Sequence, residues 1–186
     1  MRFYKLLILF LFVSLLFVVY ENNSIKKLHQ KNFSVSKISN NPFQDKHWKD
    51  KISDYLTLKE NYSTRFYFPT EKNNNWVMWF KPNIRISEND DLRVQVKGKD
   101  DYISFINIEI HLRLGSKTYS KEALQAVVKI YNFLFPEWKD DGFLHKNFSK
   151  LIDEKSIWIT RDDIVFHFRH YSDSDINVMQ VIIKPN

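Results

Sequence analysis

The chain has 186 residues, a formal charge of +6 and no cysteine, which excludes disulfides, thiolate metal sites and cysteine nucleophiles together. Its three glycines, Gly98, Gly115 and Gly142, are far apart, so neither a phosphate loop nor a dinucleotide-binding turn is encoded and nucleotide hydrolysis is not expected. The charge is unevenly placed: residues 1–20 add Arg2 and Lys5, residues 21–52 hold seven Lys against Glu21, Asp45 and Asp50, and residues 53–186 balance at 19 basic and 19 acidic. The basic excess thus belongs to the N-terminal part, where solvation or attraction to anionic headgroups accounts for it, and no nucleic-acid partner is expected.

Residues 3–20 (FYKLLILFLFVSLLFVVY) are apolar or aromatic except for Lys5 and Ser14. The length lies between the roughly 20 residues of a spanning helix and the about 7–15 of a secretory core. No Ala-x-Ala site and no lipidatable Cys follows, so the segment reads as an uncleaved signal anchor, with the membrane as a partner through residues 3–20. A very short tail before an apolar run delivers the C-terminal part across the membrane, which places residues 21–186 in the periplasm or outside the cell. Residues 21–41 (ENNSIKKLHQKNFSVSKISNN) lack periodicity and read as a flexible basic stalk. Residues 42–186 are long enough for one domain with a single core and too few for two.

In that domain, Phe43, Trp48, Ile52, Tyr55, Leu56 and Leu58 recur at helical spacing, with Asp45 as a cap. Aromatic runs at 65–69 and 76–80 flank a polar turn and predict a hairpin. Leu92, Val94 and Val96 alternate with Arg93, Gln95 and Lys97, and Ile106 to Leu114 alternate with Asn107, Glu109, His111 and Arg113, the period of strands with one wet face. Ile103 and Phe105 have the opposite phase, which predicts a bulge near 105–106. Leu124, Val127, Val128, Tyr131, Leu134 and Phe135 then fall at helical spacing behind Ser120, and Pro136 ends the run. A short helix at 146–153 and strands near 156–160, 164–171 and 177–184 complete the chain. The predicted class is α+β: an antiparallel β-sheet with one main helix packed on a face, preceded by a single N-terminal transmembrane helix.

The polar residues that could carry chemistry are Glu109, His111 and Arg113 on one strand face and His167 and Arg169 on another. If those strands were adjacent, two imidazoles, two guanidiniums and a carboxylate would gather for acid–base chemistry or anion binding; a wet sheet surface accounts for the same alternation without any chemistry. Trp76 and Trp79 could add an aromatic contact platform. His167 and His170 are three apart on a strand and point to opposite faces, so no metal is expected, and no cofactor is implied. The resulting expectation is a membrane-tethered, extracytoplasmic protein-binding domain without catalytic activity, in a bacterium: an immunity protein against a periplasm-acting toxin, or an envelope-assembly accessory. The alternative is a membrane-anchored enzyme using the His/Glu/Arg sheet face. The candidate binding surface is Glu109, His111, Arg113, His167, Arg169, Trp76 and Trp79.

Overall fold

Alternating apolar and polar side chains need a sheet with one face against a core, and the chain supplies seven such strands. The computed structural model describes residues 41–70, 74–88, 90–113, 116, 118–138, 142–173 and 176–186; of the expected anchor and stalk (1–41), residues 1–40 lie outside the described residues, and Asn41 Oδ1 accepts from the Phe43 N–H at 3.0 Å. The strands are β1 (Tyr62–Thr70), β2 (Asn75–Pro82), β3 (Asp90–Lys99), β4 (Tyr102–Leu112), β5 (Ser156–Arg161), β6 (Ile164–Asp173) and β7 (Ile176–Pro185). Three helices, α1 (Trp48–Asp54), α2 (Lys121–Leu134) and α3 (Phe143–Lys150), interrupt them, and α1 continues into a π-helical turn at Tyr55–Lys59. No described helix is long and apolar enough to cross a membrane.

The sheet order is β1-β2-β3-β4-β7-β6-β5, and every neighbouring pair is antiparallel. Two meanders therefore meet at β4 and β7, and the helical segment between them passes over one face. The α+β reading with an antiparallel sheet holds, and the two shorter helices, α1 and α3, contribute buried side chains to the same core as the main helix α2.

The register assigns each side chain to a face. Phe80, Val94, Ile108, Val181, Phe168 and Ile157 form one row across six strands, and it belongs to the core together with Leu92, Val96, Ile106, Ile110, Phe166, Met179 and Ile183. From the helices come Trp48 and Ile52 of α1, Ala123, Val127, Ile130, Tyr131 and Leu134 of α2, and Leu144 and Phe148 of α3. Burying each of the larger side chains contributes about 1.5–3 kcal/mol. Aromatic rings fill the space between α2, α3 and β6: Phe143 meets Phe166 edge-on at 5.2 Å and Phe148 meets Phe168 at 5.4 Å.

Local chemistry sets the element ends. Ser120 caps α2 by accepting from the Ala123 N–H at 3.1 Å, and its own N–H donates to the buried Asp90 carboxylate at the start of β3. Gly142 precedes α3 at φ 90, a left-handed conformation that favours glycine, so α3 starts three residues earlier than expected. Asp45 is not the cap of α1: the cap position is His47, whose N–H donates to Asp45 Oδ1 at 2.9 Å. The bulge falls at Ser104, because Lys97 pairs with Phe105 and Gly98 with Ile103. That extra residue turns Phe105 outward and Ile103 into the core.

Candidate functional site

The second face of the sheet carries the polar half of the alternation, and no described helix packs on it. One of its rows runs Arg65, Trp79, Gln95, Asn107, Ile182, His167 and Trp158 from edge to edge. Beside it lies Arg93, Glu109, Gln180, Arg169 and Ser156, and beyond that Asp91, His111, Val178 and Tyr171. On the other flank are Val77, Lys97 and Phe105, with Lys184 and Val165 toward β6.

Of the expected surface, Glu109, His111, His167, Arg169 and Trp79 all turn to this face. Arg113 follows the last residue of β4 and is exposed. Trp76 is elsewhere: it shares the parity of Met78 and Phe80, is 2% exposed in the core, and its indole N–H donates to the Asp100 carbonyl at 2.7 Å. β4 and β6 are also not neighbours. β7 lies between them and places Gln180 between Glu109 and Arg169, and Ile182 between Asn107 and His167. At about 4.8 Å per strand, the two candidate groups stand roughly 10 Å apart.

The β4 group is a hydrogen-bonded network in which the Glu109 carboxylate is fully engaged, while Asn107 Oδ1 and His111 Nδ1 are buried without a hydrogen-bond partner among the described residues. His111 Nε2 lies 2.9 Å from Glu109 Oε2, and Asn107 Nδ2 donates to Glu109 Oε1 at 2.7 Å. Burial pushes the Glu109 carboxyl up, but the hydrogen bonds from His111 and Asn107 and the positive charges of His111 and Arg93 outweigh it and hold the pKa below the usual carboxylate range. Both Glu109 oxygens are taken, so the carboxylate is poorly placed to accept a substrate proton.

The β5–β6 group is open and aromatic. The Trp158 ring, 59% exposed on the edge strand, stacks on His167 at 3.5 Å and 13°. Lys184 Nζ stands 5.6 Å from the Trp158 ring and the Arg169 guanidinium 5.5 Å from the Tyr171 ring. Ser156 Oγ lies 2.8 Å from His167 Nε2. Burial, then the charges of Arg169 and Lys184, hold the His167 pKa below the usual imidazole range. A serine against a largely neutral imidazole is two parts of a nucleophile triad, but among the described residues no carboxylate orients the other ring nitrogen.

The register also separates charge. Among the described side chains, Arg65, Lys81, Arg93, Lys97, Arg169 and Lys184 face this side against only Asp91 and Glu109. Asp91 is held by Lys81 at 3.0 Å and Glu109 by His111. The lone sequence cannot show this, because the balance of residues 53–186 is even and only the strand pairing collects the cations.

The described cavities are elsewhere. One of about 190 Å³ lies among Phe135, Trp138, Asp162 and Asp163, and a shallow groove of about 690 Å³ is lined by Tyr119, Leu124, Val128 and His145. No protein-family model, curated protein or solved structure matches the chain.

Proposed function

We propose that the chain is a membrane-tethered, extracytoplasmic protein-binding domain without catalytic activity, anchored through residues 3–20. The observation that supports this reading most is the second sheet face: broad, lined by charged, amide and aromatic side chains, and free of any described cavity that would enclose a substrate. Small-molecule enzymes work in concave, largely apolar sites, whereas protein interfaces of ordinary size are flat with exposed Trp, Tyr and Arg. The apolar N-terminal run supplies the tether, and confinement at the membrane raises the effective concentration for a partner that arrives there. Neutralising a toxin that acts in the periplasm, as an immunity protein does, or assisting envelope assembly are jobs this design suits.

The test has two arms. A phosphatase reporter fused at the C-terminus is expected to be active only outside the cytoplasm, with residues 1–20 retained in the mature chain. Lysine-reactive crosslinking of the full chain in its native membrane is expected to give a discrete adduct with one other protein. Cytoplasmic reporter activity overturns the topology, and absence of any protein adduct overturns the binding reading. A second reading, a hydrolase, rests on the Ser156–His167 pair, and labelling of Ser156 by a fluorophosphonate probe tests it.

A further inference from the structure

The charge on the second sheet face is more one-sided than the neutral composition of residues 53–186 suggests. Both of its described carboxylates are engaged, Asp91 with Lys81 and Glu109 with His111 and Asn107. Arg65, Lys97, Arg169 and Lys184 have no carboxylate partner among the described residues; three of them lie over rings instead, Lys97 over Phe105 at 4.9 Å, Arg169 over Tyr171 and Lys184 over Trp158. Cations held on aromatic faces keep their charge while their positions are fixed.

The middle and the ends of the face differ. Gln95, Asn107 and Gln180, on three neighbouring strands, are 8%, 7% and 4% exposed, and Gln180 on β7 stands between the β4 network and the β5–β6 group as an uncharged hydrogen-bonding group. Large aromatic residues stand near both edges: Trp79 at 38% exposed on β2 and Trp158 at 59% on β5. Seven strands at about 4.8 Å spacing and four side-chain rows at about 6.8 Å cover roughly 600 Å² in projection.

We propose that this cationic, tryptophan-edged face is a docking surface for the acidic surface of another protein. The inference rests on the reading of the chain as a protein-binding domain and adds where the partner sits and what charge it carries. The observations favour a protein over other polyanions. The carboxylates of Asp91 and Glu109 on this face repel a phosphate backbone or a lipid headgroup layer, whereas a protein surface of mixed charge accommodates them, and exposed Trp and Arg are the residues that dominate protein interfaces. Complementary charge of this kind raises the association rate and makes it fall with salt.

The direct test uses the full chain in nanodiscs of zwitterionic lipid and poly-L-glutamate as the acidic polypeptide. Arg169→Glu with Lys184→Glu is expected to weaken binding about tenfold or more, while Lys121→Glu with Lys146→Glu, an equal charge change on the helical side, leaves it within about twofold. Arg65→Glu, at the far edge strand, gives an independent loss if the first pair unfolds the domain, as its thermal transition will report. Equal loss from both double variants, or none from the face variants, overturns the proposal. Tighter binding to vesicles rich in phosphatidylglycerol or to a single-stranded oligodeoxynucleotide, abolished by the same variants, also overturns it in favour of lipid or nucleic acid. A photocrosslinking residue placed at Thr160 in cells is expected to capture a protein through an acidic segment, and one at Gln125 is not. Capture from Gln125 alone overturns this surface and leaves the binding reading standing; capture from neither position overturns both.

Discussion

Glu109 Oε2 and His111 Nε2 stand 2.9 Å apart on one strand face, with side chains only 13% and 14% exposed. The pair is local to β4, where residues two apart share a face, and Asn107 donates to the other Glu109 oxygen at 2.7 Å. The folded pKa of Glu109 is lowered, so its contribution is fully present above the unfolded value near about 4.3 and is lost as pH falls through the folded one. Glu109→Gln is therefore expected to cost about 1 kcal/mol or more at pH 7, with the gap closing toward pH 3. Urea unfolding of both proteins in detergent at the two pH values checks this; a gap of equal size at both would remove the electrostatic account.

His167 offers the opposite kind of titration. Its pKa is lowered first by burial and then by Arg169 and Lys184. As pH falls below about 6.5 the unfolded chain takes up its proton before the folded one, so the folded state loses stability through that window. Removing a neighbouring positive charge favours the imidazolium, so Lys184→Gln and Arg169→Gln are each expected to raise the pKa. The ring proton shifts of His167 followed by NMR across pH 4 to 8 report it directly. An unchanged midpoint in both variants would leave burial as the sole cause.

Elements that bury one face were legible because burial writes a period into the sequence. Leu92, Val94 and Val96, or Val127, Tyr131 and Leu134, show which way their element turns before any contact is known, whereas Ala123 and Ile130 complete the buried helix face and the expected Leu124 and Val128 are only half-buried. Strand order was not legible: nothing in the alternation of β4 or β6 says that β7 comes between them, since all three carry the same pattern. Trp76 shows the same limit. Its parity with Met78 and Phe80 was the available signal for a core position, but in a run holding Trp76, Trp79 and Phe80 both faces look aromatic until the register is fixed. The cationic face was hidden for a related reason, because Arg65, Lys97, Arg169 and Lys184 are scattered through 120 residues and meet only through pairing.

Packing around Trp76 gives a sharp structural test. A Cβ at Gly98 would overlap the Trp76 ring and the Tyr102 carbonyl oxygen, and the indole is fixed by its bond to Asp100, so the ring has little room to retreat. Gly98→Ala is expected to cost about 1–3 kcal/mol through overpacking. Ile108→Ala, at a fully buried position, should cost about 2–5 kcal/mol through the cavity it leaves, and Val128→Ala, half-buried beside the groove on α2, less than that. Thermal unfolding ranks the three, and a neutral Gly98→Ala would show that the ring moves aside.

The Ser156–His167 contact separates the binding reading from the hydrolase reading. A serine becomes a nucleophile when a base takes its proton and a third group holds the base in the right tautomer. Here the 2.8 Å contact to the imidazole is present, but the described residues supply no carboxylate for the other ring nitrogen. The ring is instead pressed against Trp158 and bordered by Arg169 and Lys184. The two residues also lie on an edge strand and its neighbour, outside the described cavities, where water competes for every developing charge. The expected outcome is that a fluorophosphonate probe leaves Ser156 unlabelled in the full chain, and that Ser156→Ala and His167→Gln fold normally, each within about 0.5 kcal/mol of the parent. Labelling at Ser156 that disappears in His167→Gln, with the fold intact, would transfer the face from a docking surface to an active site.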